Sequence, residues 1–252
     1  MLLAVDVGNT STKFGLFEGD ELTEKFTVPT HSTDLVADIN GRLDDGFDKA
    51  IVCSVVPDAA ERLHRLILNG FGVAPTFVKS DSDLGIKVKH EPLNTLGPDR
   101  LVNSFAAAEI YGPPIVVVSL GTATTIDVVS ENRELLGGLI APGMTLMARA
   151  LKEHTAKLPE VDVTTPDQVL GTNTEDAIRS GVYLTLVGFI ETALAKILAG
   201  LSDDARVIAT GGFAEMLEAD CPAIDVVDEN LTLHGLSLIA NRNKSAKTSV
   251  PS

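Results

Sequence analysis

Val-Asp-Val-Gly-Asn-Thr-Ser-Thr-Lys-Phe-Gly (5–15) stands near the start of the chain, and Val-Ser-Leu-Gly-Thr-Ala-Thr-Thr-Ile-Asp-Val (118–128) repeats its plan at an offset of 113. In both, an apolar run ends at a glycine, small polar residues follow, and a second β-rich run begins, which reads as strand, turn, strand. Aligned without a gap, Thr12 falls on Thr125. Two such starts in 252 residues predict a duplicated fold whose two lobes each present a Gly-Thr turn to a shared cleft.

Working outward from the first copy, residues 2–7, 13–18 and 22–28 read as strands of a meander. A helix capped by Ser32 or Thr33 carries Leu35, Val36, Ile39 and Leu43 on its apolar positions and ends near Gly46. AIVCSVV (50–56) reads as a buried strand, and Pro57-Asp58 opens a helix to Gly70. Gly97-Pro98 makes a turn that puts Asp99 at the head of an Ala-rich helix ending near Tyr111. Around the second copy, IVVVSLGTATTIDVVSE gives two strands and ELLGGLIAPG a third, followed by a helix over 144–154. Residues 156–171 read as an ordered loop and 175–198 as a long helix. RVIATGG (206–212) reads as a strand meeting a glycine pair, and HGLSLIA (234–240) as the closing helix. Strands alternating with helices make the class α/β. The expected lobes are 1–113 and 114–240, with a disordered polar tail over 241–252.

Composition excludes several functions. The formal net charge is -15, and both halves are acidic, so a sequence-independent grip on nucleic acid or on an anionic membrane lacks its basic surface. Aromatic residues make up 4% with no Trp, which leaves few platforms for stacking bases. Cys53 and Cys221 form no Cys-x-x-Cys pair and read as buried free thiols. The start lacks the basic and long apolar regions of a signal peptide, and no uninterrupted apolar run reaches the ~18 residues of a membrane span, so a cytoplasmic location is expected.

An anionic ligand must therefore be held locally. In Asp6-Val7-Gly8-Asn9-Thr10-Ser11-Thr12-Lys13 a strand end delivers a carboxylate and Gly8 lets a ligand approach the backbone. The small polar residues leave amides to point at an anion. Such a turn suits a polyphosphate with Mg²⁺ on or near Asp6 and Lys13 as a point charge. Equally, Asp6 can simply cap its own hairpin. Gly121-Thr122-Ala123-Thr124-Thr125 offers a second turn and Thr210-Gly211-Gly212 a third glycine site. A phosphoryl acceptor needs a base for its hydroxyl proton, and Asp99, beside Arg100, is the candidate, with plain helix capping as its other reading.

Two phosphate-type turns and a glycine pair in this order resemble the actin, sugar kinase and Hsp70 superfamily, which implies a duplicated actin-like (ribonuclease H-like) ATPase fold. The resemblance narrows further. Asp6 to Thr10, Gly97-Pro98-Asp99-Arg100, Gly121 to Thr125, Gly137 to Gly143, Leu158-Pro159, and Gly171 to Thr174 with Ser180-Gly181 stand in the order seen in type III pantothenate kinases. That resemblance spans about residues 2–240. It implies ATP-dependent phosphorylation of pantothenate to 4′-phosphopantothenate, the first step toward coenzyme A, by a cytoplasmic homodimer. It further implies that Asp6, Val7, Gly8, Asn9, Thr10, Ser11, Thr12 and Lys13 form the first ATP segment, with Gly121 and Thr122 in the second and Gly211 and Gly212 facing the adenosine. Gly97, Pro98, Asp99 and Arg100 correspond to the pantothenate turn, with Asp99 as proton acceptor and Thr174 as a further pantothenate contact.

Two positions depart from the pattern. Ser119 stands where the family carries an Asp that helps bind a monovalent cation, K⁺ or NH₄⁺, and a neutral hydroxyl is a poorer ligand. His90 stands where the family commonly has a Tyr, at a substrate-binding position. Another hydroxylated acceptor, or a nucleotide-binding regulator without turnover, remains compatible with the residues alone.

Overall fold

The computed structural model describes residues 1–39, 41–43 and 46–248, with side chains through Arg242. The chain divides into two compact units, the first made of Met1–Ile110 with Asn230–Ser252 and the second of Tyr111–Glu229.

In the first unit, β1 (Leu2–Val7), β2 (Ser11–Glu18), β3 (Glu21–Pro29), β4 (Lys49–Ser54) and β5 (Thr76–Val78) form a sheet in the order β3-β2-β1-β4-β5. The β1/β2 and β2/β3 pairs are antiparallel, and β1/β4 and β4/β5 are parallel. Both faces of β1 and β4 are covered, so their sequences are almost continuously apolar, whereas the edge strand β3 carries Glu21, Glu24 and Lys25 outward. Helix α1 (Leu35–Ile39) is shorter than the sequence suggests. Asp34 accepts the Ala37 amide at 3.0 Å in place of a Ser32 or Thr33 cap, and Val36 is exposed. Asn40, Asp44 and Asp45, within the expected helix, lie outside the described residues. Helix α2 (Pro57–Phe71) begins with proline in its first turn, as its punctuation predicts, and runs past the expected Gly70 to end on Gly72 at φ 68. A short strand β6 (Lys87–Val88) and a 3₁₀ turn (Leu93–Thr95) lead into α3 (Pro98–Ile110).

The second unit repeats the plan. Strands β7 (Ile115–Leu120), β8 (Ala123–Val129), β9 (Glu134–Pro142), β10 (Arg206–Thr210) and β11 (Val226–Val227) run in the order β11-β10-β7-β8-β9. Read from the other edge, this is the first sheet's order with the same senses, β7/β8 and β8/β9 antiparallel and β10/β7 and β10/β11 parallel. Helices α4 (Met144–Glu153), α5 (Thr174–Leu198) and α6 (Ala214–Glu218) complete it. Residues 156–171 are irregular, as expected. By length and hydropathy α5 is long and apolar enough to cross a membrane, a property that no uninterrupted apolar run revealed. Its Val182, Leu186, Ile190 and Leu194 nevertheless lie in the second unit's core with Val116, Val118 and Ile126. Both cysteines are buried free thiols.

Two readings of the sequence need correction. The gapless alignment of the repeats is one residue out past the turn. Val7 pairs Thr12 across the first hairpin, whereas Leu120 pairs Thr124 across the second, so Thr12 corresponds to Thr124 and the second turn is one residue shorter. The closing helix α7 (Leu231–Thr248) belongs to the first unit, not the second, and it continues through 241–248, where a disordered tail was expected. Leu231, Leu233, Leu236 and Ile239 are buried on it, and it packs on α3 and β1. Residues 249–252 lie outside the described range.

Candidate active site

In the first unit the parallel register sets Asp6 beside Cys53 on β4 and the antiparallel register sets it beside Lys13 on β2. Cross-strand neighbours share a sheet face, so an ammonium and a thiol flank the carboxyl. Burial pushes the Asp6 carboxyl up to about 6, the charge of Asp99 pushes the same way, and Lys13 pulls against both. Burial likewise raises Asp99, opposed by the Arg100 amide, which donates to Asp99 Oδ1 at 2.9 Å, and by the Arg100 guanidinium. The Cys53 thiol is raised by burial and then by Asp6 and Asp99, so it stays protonated. Asp6 therefore feels the charge of Asp99, a carboxyl from a distant segment, and burial makes each favour its proton more than an ordinary carboxyl does.

The local backbone explains their placement. Gly8 donates its amide to the Ser11 carbonyl at 3.1 Å and its carbonyl accepts the Thr30 hydroxyl at 2.7 Å. Val7 is buried, while Asn9 and Thr10 are exposed at the tip. At the other segment, Gly97 O accepts the Arg100 and Leu101 amides that open α3. A Cβ built on Gly97 would fall on Asp99 Oδ1, so glycine there leaves the carboxylate its position. Pro98 and Asp99 are half-buried and Arg100 is 7% exposed. His90 is turned into its own loop. Thr95 Oγ1 donates to the Pro92 carbonyl at 2.8 Å, so its contact with His90 Nε2 at 2.9 Å is one that His90 donates.

In the second unit Gly121 donates to the Ala123 carbonyl at 3.2 Å, the counterpart of the Gly8 to Ser11 bond, and Thr122 is half-buried. Gly211, at φ 99, lies so close to the end of β7 that a Cβ would strike the Leu120 backbone, and Phe213 donates to Leu120 O at 3.3 Å. The glycine pair and the second turn thus share one strand end, with Gly212 exposed. Thr174 is exposed in the first turn of α5. The cap is Asn173, whose side chain accepts the Asp176 amide at 2.9 Å, so capping is not what Thr174 does.

Two neighbouring carboxyls, both raised by burial and Asp6 further by the charge of Asp99, suit a divalent cation. Mg²⁺ commonly takes one or two carboxylates and fills its shell with water and substrate oxygens. Among the described residues no group of three or more His, Cys, Asp or Glu could enclose a metal alone. The monovalent position is different. The cross-strand neighbours of Ser119 are Thr125 and Thr210, a row of hydroxyls without a carboxylate, and this donor set does not fit a tight K⁺ or NH₄⁺ site. Sequence reasoning missed Thr30, whose hydroxyl secures the first turn, because a lone threonine at a strand end carries no pattern.

Comparison with known proteins gives a consistent result. The family profile described as Type III pantothenate kinase matches residues 2–196. The chain is 36% identical over 253 residues to a type III pantothenate kinase of Dehalococcoides mccartyi (strain BAV1), covering 96% of each. It is 34% identical over 257 residues to one from Geobacillus sp. (strain WCH70), covering 98% of this chain and 100% of the relative. Among solved structures, a ROK family glucokinase from Streptomyces griseus in complex with glucose and AMPPNP superposes with a TM-score of 0.57 at 13% identity. The match covers 96% of this chain and 99% of the glucokinase, a likeness of fold.

Proposed function

The chain belongs to the type III pantothenate kinases, phosphotransferases with an alcohol acceptor, and from that premise we propose how its residues divide the work. Pantothenate is the acceptor and ATP the donor. The acceptor hydroxyl oxygen attacks the γ-phosphorus, the new O–P bond forms as the bond to the β,γ-bridging oxygen breaks, and the hydroxyl proton passes to the Asp99 carboxylate. The products are 4′-phosphopantothenate and ADP, the opening step of coenzyme A synthesis.

The observation that carries this reading is the placement of Asp99. It stands at the head of α3 beside a glycine that leaves its carboxylate room, close enough to Asp6 for its charge to raise that carboxyl, and burial raises its own proton affinity. A base with raised affinity holds the transferred proton better. Asp6, the Gly8 to Ser11 backbone and Lys13 hold phosphate oxygens, with Gly121 and Thr122 offering the second turn and Gly211 and Gly212 the adenosine side. Val7, Asn9, Thr10 and Thr12 shape the first turn. Asp6, with Asp99 near it, would hold Mg²⁺, which supplies charge neutralisation at the phosphates. Gly97, Pro98, Arg100, Thr174 and His90 are assigned to pantothenate, His90 through a rearrangement that frees its ring from Thr95. Ser119 removes the carboxylate of the cation position, so activity is independent of K⁺ and NH₄⁺. The working form is a cytoplasmic homodimer that binds neither nucleic acid nor membrane.

The test is formation of phosphopantothenate by mass detection from MgATP and pantothenate, with K⁺ or Na⁺ as the sole monovalent cation. Equal rates in both salts are expected, and Asp99→Asn should lose about 10²-fold or more in kcat. A chain that binds ATP yet forms no product in either salt would overturn the pantothenate assignment in favour of another acceptor.

A further inference from the structure

The duplicated hairpins, once aligned in the register the structure gives, differ in a buried contact of their second strands. In the first unit the Thr30 amide donates to Thr10 O at 3.0 Å. The Thr30 hydroxyl donates to Gly8 O at 2.7 Å and receives the Thr12 hydroxyl at 3.0 Å. Thr12, 4% exposed, is thereby tied through Thr30 to the carbonyl of the turn glycine.

Every backbone part of this lock recurs in the second unit. Thr122 corresponds to Thr10 and Ala123 to Ser11. Pro29 pairs Ser11 as Pro142 pairs Ala123, and the Gly143 amide donates to Thr122 O at 3.0 Å as Thr30 does to Thr10 O. Gly143 is thus the counterpart of Thr30, and it has no hydroxyl. No side chain could stand there, because a Cβ on Gly143 would fall on the Gly121 and Thr122 carbonyls. The consequence reaches Thr124, the counterpart of Thr12. It is 0% exposed and its Oγ1 has no hydrogen-bond partner among the described residues. A buried hydroxyl without a partner is unfavourable, and its presence calls for a physical reason.

We propose that Thr124 is a positioning residue of the second phosphate turn: its hydroxyl, which the fold alone does not pair, gains a carbonyl of that turn when nucleotide re-seats it. The first turn is locked in advance by Thr30 and the second adapts. This inference rests on the reading of the chain as an ATP-dependent kinase and adds which turn moves and what its movement satisfies. Nucleotide binding then gains the hydrogen bond that the empty turn lacks, and substituting the hydroxyl must act with opposite signs on the empty and loaded states.

The experiment compares the full-length wild type with Thr124→Val, Thr124→Ser and Thr12→Val. Thermal unfolding is followed without ligand, AMPPNP binding is measured by calorimetry in Mg²⁺, and kinase activity is measured by steady-state kinetics. In Thr124→Val, loss of an unsatisfied hydroxyl should raise the unliganded Tm by about 1–4 °C. AMPPNP should bind about 3- to 10-fold more weakly, with KM for ATP raised in step and kcat at saturating ATP changed less. Thr124→Ser, which keeps the hydroxyl, should restore AMPPNP affinity. Thr12→Val, which breaks a made bond, should lower the unliganded Tm. A fall in Tm for Thr124→Val would mean the hydroxyl is already satisfied by a buried water and would overturn the proposal, as would unchanged AMPPNP affinity. Wild type that fails to bind AMPPNP would sink the kinase reading and this proposal with it; wild type that binds it, with Thr124→Val binding equally well, would sink this proposal alone.

Discussion

Asp6 serves the proposed chemistry at the expense of the fold. Its carboxyl titrates near 6 in the folded chain against an ordinary 3.8, so the folded state holds a proton that the unfolded state has lost between those values. Stability from this group is fully present below about 3.8, declines as pH rises through about 6, and is absent above, where the buried charge is penalised. Asp6→Asn should therefore unfold at a higher temperature than wild type at pH 7.5, and the two melting curves should converge near pH 4. The same substitution should lower kcat/KM by about 10²-fold or more. For wild type, kcat/KM should rise with pH along an acid limb, because Asp6, raised to about 6, and Asp99, also raised by burial, must both lose their protons. A wild type more stable than Asp6→Asn at neutral pH would show that the carboxylate is already neutralised in the free chain. Gly97 gives a sharper probe of geometry. Because its missing Cβ occupies the place of Asp99 Oδ1, Gly97→Ala must displace the carboxylate while α3 remains helical. Expected is a loss of about 10²-fold in kcat with Tm within about 3 °C of wild type. Near-normal kcat would mean that the position of the carboxylate is not critical.

At the scale of elements, the crossing of α7 over α3 decides how the first unit closes. Gly235 brings the helices together, since a Cβ there would stand 2.8 Å from Ala106 Cβ and 2.9 Å from Val102 Cγ1. Gly235→Ala should destabilise by about 2 kcal/mol, because two packed helices must part. Gly70→Ala in α2, with nothing within 4 Å of the added Cβ among the described residues, should instead stabilise by up to about 1 kcal/mol through helix propensity. Chemical denaturation of the two variants reads both signs, and equal effects would contradict the packing argument. The same helix shows where the sequence stops being legible. Strand starts at Leu2 and Ile115, the strand start within one residue of Ala50 and the helix at Pro57 follow from apolar runs and punctuation, which are local signals. That α7 joins the first unit depends on the shape of the Ala-rich surface of α3, about 130 positions earlier, and no periodicity in residues 231–248 encodes that partner. The site divides likewise. Asp6 and Asp99 stand in motifs with their own chemistry. The Thr12 to Thr30 bond joins strand ends, and the one-residue difference between the two turns is hidden because Thr124 and Thr125 are both threonine and either alignment looks equally good.

For the whole molecule, exposed apolar surface is distributed unevenly between the units. Leu139 and Ile140 on β9, Leu146 and Leu151 on α4, Leu170 in the 156–171 loop and Leu184 on α5 are all exposed, and all belong to the second unit. The loop is not slack. Arg179 Nε donates to Asp162 O at 3.3 Å and Ser180 Oγ to Val169 O at 2.6 Å, so Leu170, 81% exposed, is presented on a pinned backbone. A chain with net charge -15 resists nonspecific association, so apolar side chains presented this way favour one specific partner, and a second copy of the chain is the partner proposed above. Light scattering coupled to size exclusion should give twice the 26.6 kDa chain mass. Leu170→Glu combined with Leu184→Glu should shift the mass to that of one chain, since each carboxylate would have to be desolvated at the contact. Val36→Glu, at an apolar residue of the first unit that is 62% exposed, should leave the dimer intact. A wild-type mass of one chain would remove the homodimer from the proposed function. Dissociation by Val36→Glu with the double variant still dimeric would move the contact to the first unit, where a groove lined by Val36, Leu66 and Phe71 would be its natural seat.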